Sequence, residues 1–182
     1  MPLLNSIATP YAEALLQVIE ARGETEQTAE QAKAVLKIWE SSPELRSAMS
    51  SPVLEPEAKK AALVKLFSDQ LSQAFINLLK LLADRQRISV LDAVLLRFLE
   101  LYRENRNIAL AKVTSAVPLN KEQEDILVQR IRSIASTERV ELEVLVDPLI
   151  IGGFIINIGS QVIDASLAGQ VRRLGLALAK SG

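Results

Sequence analysis

The residues whose types could do chemistry are few: Gly152-Gly153, the carboxylates Glu141, Glu143, Asp147 and Asp164, and the pairs Arg85/Arg87 and Arg172-Arg173. Phosphate cradles place glycines between a strand and a helix N-terminus. Here the glycines precede a hairpin, and neither G-x-G-x-x-G nor a Lys-Ser/Thr pair follows them. They are expected to make a bend or bulge where backbones approach closely. Glu141 and Glu143 share one strand face, and Glu26 and Glu122 sit on helices; all read as solvated faces opposite apolar ones. Asp147 and Asp164 flank the hairpin and are expected to cap turns. The two arginine pairs form no basic stripe and have no aromatics interleaved for base stacking, so they read as exposed or ion-paired.

The chain has no cysteine and no histidine. This removes thiol nucleophiles, disulfides, the commonest general base and the commonest metal ligand. With 21 basic and 22 acidic residues, a nucleic-acid footprint is absent as well. No catalytic, cofactor or metal site is expected.

The elements that would position these residues fall into two halves. Residues 1–105 show helical spacing of apolar residues with caps at the breaks. Six short helices are expected: Ser6 to Ala21, with Ser6 as N-cap and Pro10 in the first turn; Thr25 to Glu40; one from Ser42-Pro43 carrying Leu45 and Met49; one from Glu55-Pro56 with Ala62 and Leu66 or Phe67 inward; Leu71 to Ala83; and Ser89 to Glu104. Gly23 ends the first, and Pro52 breaks the third. That is an all-α six-helix bundle.

The pattern changes at Asn105-Arg106-Asn107. Residues 106–182 are expected to form a small α+β domain with a short sheet and a hairpin. Ile108 to Val117 reads as a strand stopped by Pro118. Asn120, with Gln123 in the capping-box position, opens a helix to about Ser136. Val140 to Val146 alternates as a half-buried strand. Gly153 to Ile158 and Gln161 to Asp164 flank Gly159-Ser160, a type II′ turn pattern. Ser166 caps a last helix carrying Val171, Leu174 and Leu178. No run of 18 apolar residues occurs, so no membrane-spanning helix is expected. Met1 to Pro10 shows neither a transit nor a signal pattern, which implies a bacterial cytoplasm or plastid stroma.

The informative feature is an excess of apolar surface. On the first helix Thr9, Glu13, Gln17 and Glu20 fill only about a third of the wheel, whereas one-sided packing needs an apolar stripe of about 100°. On the fifth, Gln73, Asn77, Lys80 and Asp84 form a narrow polar strip. Either both helices are central and buried on two sides, or they expose an apolar groove for a partner helix with i, i+3, i+4, i+7 anchors.

Three segments resemble a known family. They are Ala8-Thr9-Pro10-Tyr11-Ala12-Glu13-Ala14-Leu15, Leu82-Ala83-Asp84-Arg85-Gln86-Arg87-Ile88, and Val146-Asp147-Pro148-Leu149-Ile150-Ile151-Gly152-Gly153-Phe154 followed by Gly159-Ser160-Gln161-Val162-Ile163-Asp164-Ala165-Ser166-Leu167-Ala168-Gly169. In this order they resemble the delta subunits of F-type ATP synthases, called OSCP in mitochondria, of the bacterial or plastid type. The resemblance implies a non-catalytic stator subunit, one copy per complex, on the cytoplasmic or stromal face of a plasma or thylakoid membrane. The N-terminal bundle would bind the N-terminal helix of the alpha subunit in a groove between its first and fifth helices. Ile7, Tyr11, Ala14 and Val18, with Ala74, Leu78 and Leu81, are the residues expected to line it. The C-terminal domain would bind the b-type stalk subunits, with Val162, Ile163, Leu167 and Val171 in its signature region. Asp at Tyr11 or Leu78 is expected to weaken alpha binding and spare the fold. The other readings of the residues are a free-standing helical adaptor and a small enzyme using carboxylates alone.

Overall fold

A computed structural model describes the backbone of residues 2–68 and 70–180, and the side chains of residues 6–68, 70–173, 176 and 179. The side chains of Leu174 and Leu178 lie outside the described residues. The chain divides into two compact units, Met1–Glu104 and Asn105–Gly182.

The first unit is all-α. Its helices are α1 (Pro2–Arg22), α2 (Thr25–Ser41), α3 (Pro43–Ser50), α4 (Pro56–Phe67), α5 (Gln73–Asp84) and α6 (Leu91–Arg106), with a 3-10 turn at Ile88–Val90 before α6. Proline opens α3 and α4 at positions where its missing N–H costs nothing. The Ser72 hydroxyl accepts from the Phe75 N–H at 3.3 Å and caps α5. Gly23 takes φ +70° and ends α1. Ala8, Ala12, Leu15 and Ile19 of α1 are buried, with Val35 and Trp39 of α2, Leu63 and Phe67 of α4, Phe75 and Leu82 of α5, and Leu95 and Phe98 of α6.

Two expectations are corrected here. Helix α1 starts at Pro2 rather than Ser6, so Pro10 is interior. Pro10 faces solvent, so its ring is not forced into the packed core. On α4 Phe67, not Leu66, is the inward one of the two alternatives, Ala62 is only half-buried, and Lys59 and Leu63 are buried with Phe67.

The second unit contains β1 (Ile108–Ser115), α7 (Lys121–Ala135), β2 (Arg139–Val146), a 3-10 turn (Pro148–Ile150), β3 (Phe154–Ile158), β4 (Gln161–Asp164) and α8 (Leu167–Lys180). The sheet order is β2-β1-β3-β4. β1 and β2 are parallel, with α7 as the crossover such a pair needs, and the other pairs are antiparallel. Ala111, Val113 and Ile156 of the sheet bury with Leu127 and Ile131 of α7; Val140, Leu142, Phe154, Ile158 and Ile163 pack against them. β1 ends two residues before the expected Val117 because the Ser115 hydroxyl donates to the Val117 carbonyl at 2.7 Å and turns the chain. Gly159 takes φ +55° at the first position of the two-residue hairpin loop, as a type II′ turn requires.

At the start of α7 the capping box is complete. The Asn120 carboxamide accepts from the Gln123 N–H at 2.8 Å, and the Gln123 side chain accepts from the Asn120 N–H at 2.9 Å. Asn120→Ala is expected to destabilise the second unit by about 1 kcal/mol, read as a lower urea midpoint with an unchanged slope.

Candidate partner-docking surfaces

On α1 the wide apolar arc splits in two. Ala8, Ala12, Leu15, Leu16 and Ile19 turn into the bundle. Ile7, Ala14 and Val18 are exposed, Val18 by 44%, and Tyr11 is half-buried. Their spacing of i, i+4, i+7 and i+11 makes one stripe along three turns. It lies between the buried arc and the polar strip of Glu13, Gln17 and Glu20. The structure therefore places all four sequence-expected α1 residues on an accessible face.

Helix α5 differs. Ala74 and Leu78 are each only 6% exposed, and Leu81 is the one member of the expected trio that reaches solvent. Phe75, Ile76, Leu79, Leu82 and Ala83 are buried as well. The polar strip of Gln73, Asn77, Lys80 and Asp84 is the side left outward. The breadth of the α5 arc is thus consumed by packing on two sides. Leu78→Asp would put a charge into the bundle and would disrupt the fold rather than spare it.

Arg87, just beyond α5, donates from its guanidinium to the Tyr11 hydroxyl at 3.0 Å. This pins the tyrosine ring of the α1 stripe to the α5 end of the unit, and sequence reading missed it. A tyrosine hydroxyl and an arginine guanidinium are chemically suited partners, but no spacing signal joins two residues 76 apart in the chain.

In the second unit the glycine-rich stretch builds a corner. Gly153 has φ +81°, and a Cβ there would strike the Ala165 carbonyl and come within 2.9 Å of the Ser166 Cα. A Cβ on Gly152 would meet Leu167 Cδ1 at 2.7 Å, and one on Gly169 would strike the Asp164 carboxylate. The carboxylate accepts from the Ser166 N–H at 2.9 Å and from its hydroxyl at 2.5 Å; the same hydroxyl oxygen accepts from the Gly169 N–H at 3.0 Å, opening α8. Asp147 accepts from the Leu149 N–H at 3.0 Å. Both aspartates are turn caps. Arg172 lies 3.6 Å from the Asp164 carboxylate, and Arg173 donates to the Asp164 carbonyl at 2.9 Å. Of the signature residues, Val162, Leu167 and Val171 are exposed, whereas Ile163 packs on the core. Among the described residues no group of three His, Cys, Asp or Glu could hold a metal ion.

A family model described as the ATP synthase delta (OSCP) subunit matches residues 7–178. The chain belongs to the ATP synthase delta (OSCP) family. It is 75% identical over 182 residues, 100% of both chains, to ATP synthase subunit delta of the organellar chromatophore of Paulinella chromatophora. It is 64% identical over 180 residues, 99% of both chains, to ATP synthase subunit delta of Prochlorococcus marinus strain MIT 9303. Its fold is like that of a chain in the cryo-EM structure of the Toxoplasma gondii mitochondrial ATP synthase hexamer, with a TM-score of 0.74 over 93% of this chain and 96% of that one, at 21% identity.

The Asp164 corner is held by hydrogen bonds to its carboxylate. Hydrogen bonds from the Ser166 hydroxyl and then the Ser166 N–H hold the Asp164 carboxyl below the usual carboxylate range, with the Arg172 and Arg173 charges adding to the effect. A depressed folded pKa means the stabilisation is complete above the unfolded value and is lost as pH falls through the folded one. The Asp164 contribution should therefore be constant from pH 7 to 5 and decline below about pH 4. Asp164→Asn should lower the melting temperature at pH 7 and flatten the decline between pH 4 and 2, as measured by thermal denaturation.

Proposed function

We infer that this chain is the non-catalytic stator subunit of an F-type ATP synthase, present in one copy, tying the catalytic head to the peripheral stalk. Rotor torque would turn the head with it unless a stalk held the head still. The task requires tight binding at two ends and no chemistry.

The observation that carries the head-binding half is the exposed stripe of Ile7, Tyr11, Ala14 and Val18 on α1. Its spacing suits the apolar face of a single amphipathic helix. In our reading that helix is the N-terminal helix of the alpha subunit, seated between α1 and α5. Val18 and Leu81 would make the accessible contacts and Tyr11 is held ready by Arg87, while Ala74 and Leu78 lie buried in the bundle beneath them. Stable interfaces bury about 1,200–2,000 Å². Apolar anchors of roughly 1.5–3 kcal/mol each can supply nanomolar affinity after the cost of association.

The second unit, residues 106–182, would hold the b-type stalk subunits, a role supported by the exposed Val162, Leu167 and Val171. No helix among the described residues is long and apolar enough to cross a membrane. The protein is then peripheral, on the cytoplasmic or stromal face of a plasma or thylakoid membrane; the cyanobacterial relatives favour an energy-transducing membrane of that kind.

Calorimetric titration with a peptide copying the first ~20 residues of the alpha subunit from the same organism tests the groove. The expected result is one-to-one binding, weakened at least tenfold, or about 1.4 kcal/mol, by Val18→Asp or Tyr11→Asp with circular dichroism unchanged. Leu81→Asp should weaken it similarly, while Leu78→Asp should instead lower thermal stability. Equal affinity for the folded Val18→Asp protein would mean that the helix docks elsewhere.

A further inference from the structure

A cavity of about 600 Å³ opens on the surface of the second unit, where β1 begins and α7 passes into β2. Asn107 and Ser136, each with φ +51°, turn the chain at its rim. Its floor is the buried Thr137, whose hydroxyl donates to the Asn107 carbonyl and ties the two chain segments together. Arg106 and Arg132 border the cavity, and among the described residues neither guanidinium has an ion pair or a hydrogen bond. The Ser136 hydroxyl and the Asn107 carboxamide are equally unused. Arg139 also lines the cavity but already has a partner. Glu138 is the one acid on the lining, and it pairs with neither Arg106 nor Arg132. The lining therefore sets three arginines against one glutamate, in a chain whose formal net charge is -1. Arg132 stands in the last turn of α7, where a cation favours the helix end. That explains its position but not its unused donors, because the Arg132 carbonyl at this end already accepts from the Ser136 and Thr137 N–H groups.

We propose that this cavity binds a phosphate group, free or carried by a nucleotide, between the Arg106 and Arg132 guanidiniums. A guanidinium presents paired N–H donors that match two oxygens of a phosphate, and one dianion neutralises two cations at once. A cleft lined mainly by one sign of charge also concentrates its field on an entering counter-ion. The Ser136 hydroxyl and the Asn107 carboxamide supply donors for the remaining oxygens. A carboxylate has only two oxygens and would leave part of this donor set unused, which is why phosphate is favoured. The volume lies within the roughly 300–1,000 Å³ of small-molecule sites, so a nucleoside fits beside the phosphate. Glu138 opposes the anion and limits its affinity. The site shares no residue with the α1 stripe or with Val162, Leu167 and Val171, so the proposal does not depend on the stator reading.

Titration of the isotope-labelled full chain with sodium phosphate and, separately, with ADP, at constant ionic strength and followed by amide chemical shifts, provides the test. The expected result is saturable shifts at Asn107 and Ser136–Arg139. Arg106→Gln and Arg132→Gln should each weaken binding about tenfold. Glu138→Gln should tighten it, and Arg130→Gln, on α7 but outside the lining, should leave it unchanged. Effects of opposite sign from neighbouring substitutions are not what a purely structural role would produce. Tighter binding of ADP than of phosphate assigns a nucleotide as the source, and equal or weaker binding assigns free phosphate; both support the proposal. Acetate that moves the same amides with equal affinity would show attraction of any anion and overturn it. Absence of saturable shifts at these amides in the wild-type chain, or affinity unmoved by both arginine substitutions, overturns it as well. Circular dichroism checks the fold of each variant, and the wild-type titrations with phosphate and acetate decide the matter if a variant unfolds.

Discussion

Helix α1 carries more apolar surface than one side of a bundle can bury, and the first unit is arranged around that constraint. The arc of Ala8, Ala12, Leu15 and Ile19 packs inward. The adjoining arc of Ile7, Tyr11, Ala14 and Val18 then has to face out, because a straight helix cannot turn both arcs toward the same core. Three of those residues remain exposed, and the fourth is held by Arg87. Leaving such a stripe to water is unfavourable at roughly 25 cal/mol per Å². A partner that removed it from water would recover that cost, with no catalytic group required.

The second unit meets a different constraint. A chain that passes from β3 through a tight hairpin into β4 and then α8 must bring backbones together without side chains between them. Gly153 and Gly169 supply the clearance, and the Asp164–Ser166 bonds lock the corner. A glycine-rich and acidic stretch that could suggest phosphate chemistry is here the joint of a small mixed sheet. The corner fixes where Leu167 and Val171 stand on α8, both exposed beside the sheet.

How much was legible in the sequence follows from how local each signal is. The Asn120–Gln123 box, the prolines opening α3 and α4, and Gly159 at the turn are set by neighbours within four residues, and each appears where the sequence puts it. The order of six helices followed by a small α+β unit was equally readable from the change of apolar period. Ser6 has the chemistry of an N-cap, yet α1 runs on to Pro2, because the exposed interior position of Pro10 accommodates its ring. The two apolar arcs look alike on a wheel, yet packing resolves them oppositely: α1 shows an arc to solvent, and α5 hides Ala74 and Leu78 between neighbours. That outcome depends on which helices flank α5, which no periodicity encodes. The Tyr11–Arg87 bond spans 76 residues and was beyond local reading for the same reason.

The central claim is that the α1 stripe is occupied in the working enzyme. Because the chain has no cysteine, a single Val18→Cys substitution gives a unique thiol on the stripe, and Gln17→Cys gives a control on the polar strip. The measurement is the rate of maleimide labelling of each in the free chain and in assembled ATP synthase. The account predicts that the thiol at position 18 labels readily in the free chain and at least tenfold more slowly in the complex, with position 17 slowed much less. Equal labelling of position 18 in both states, in a complex that contains the chain, would contradict it.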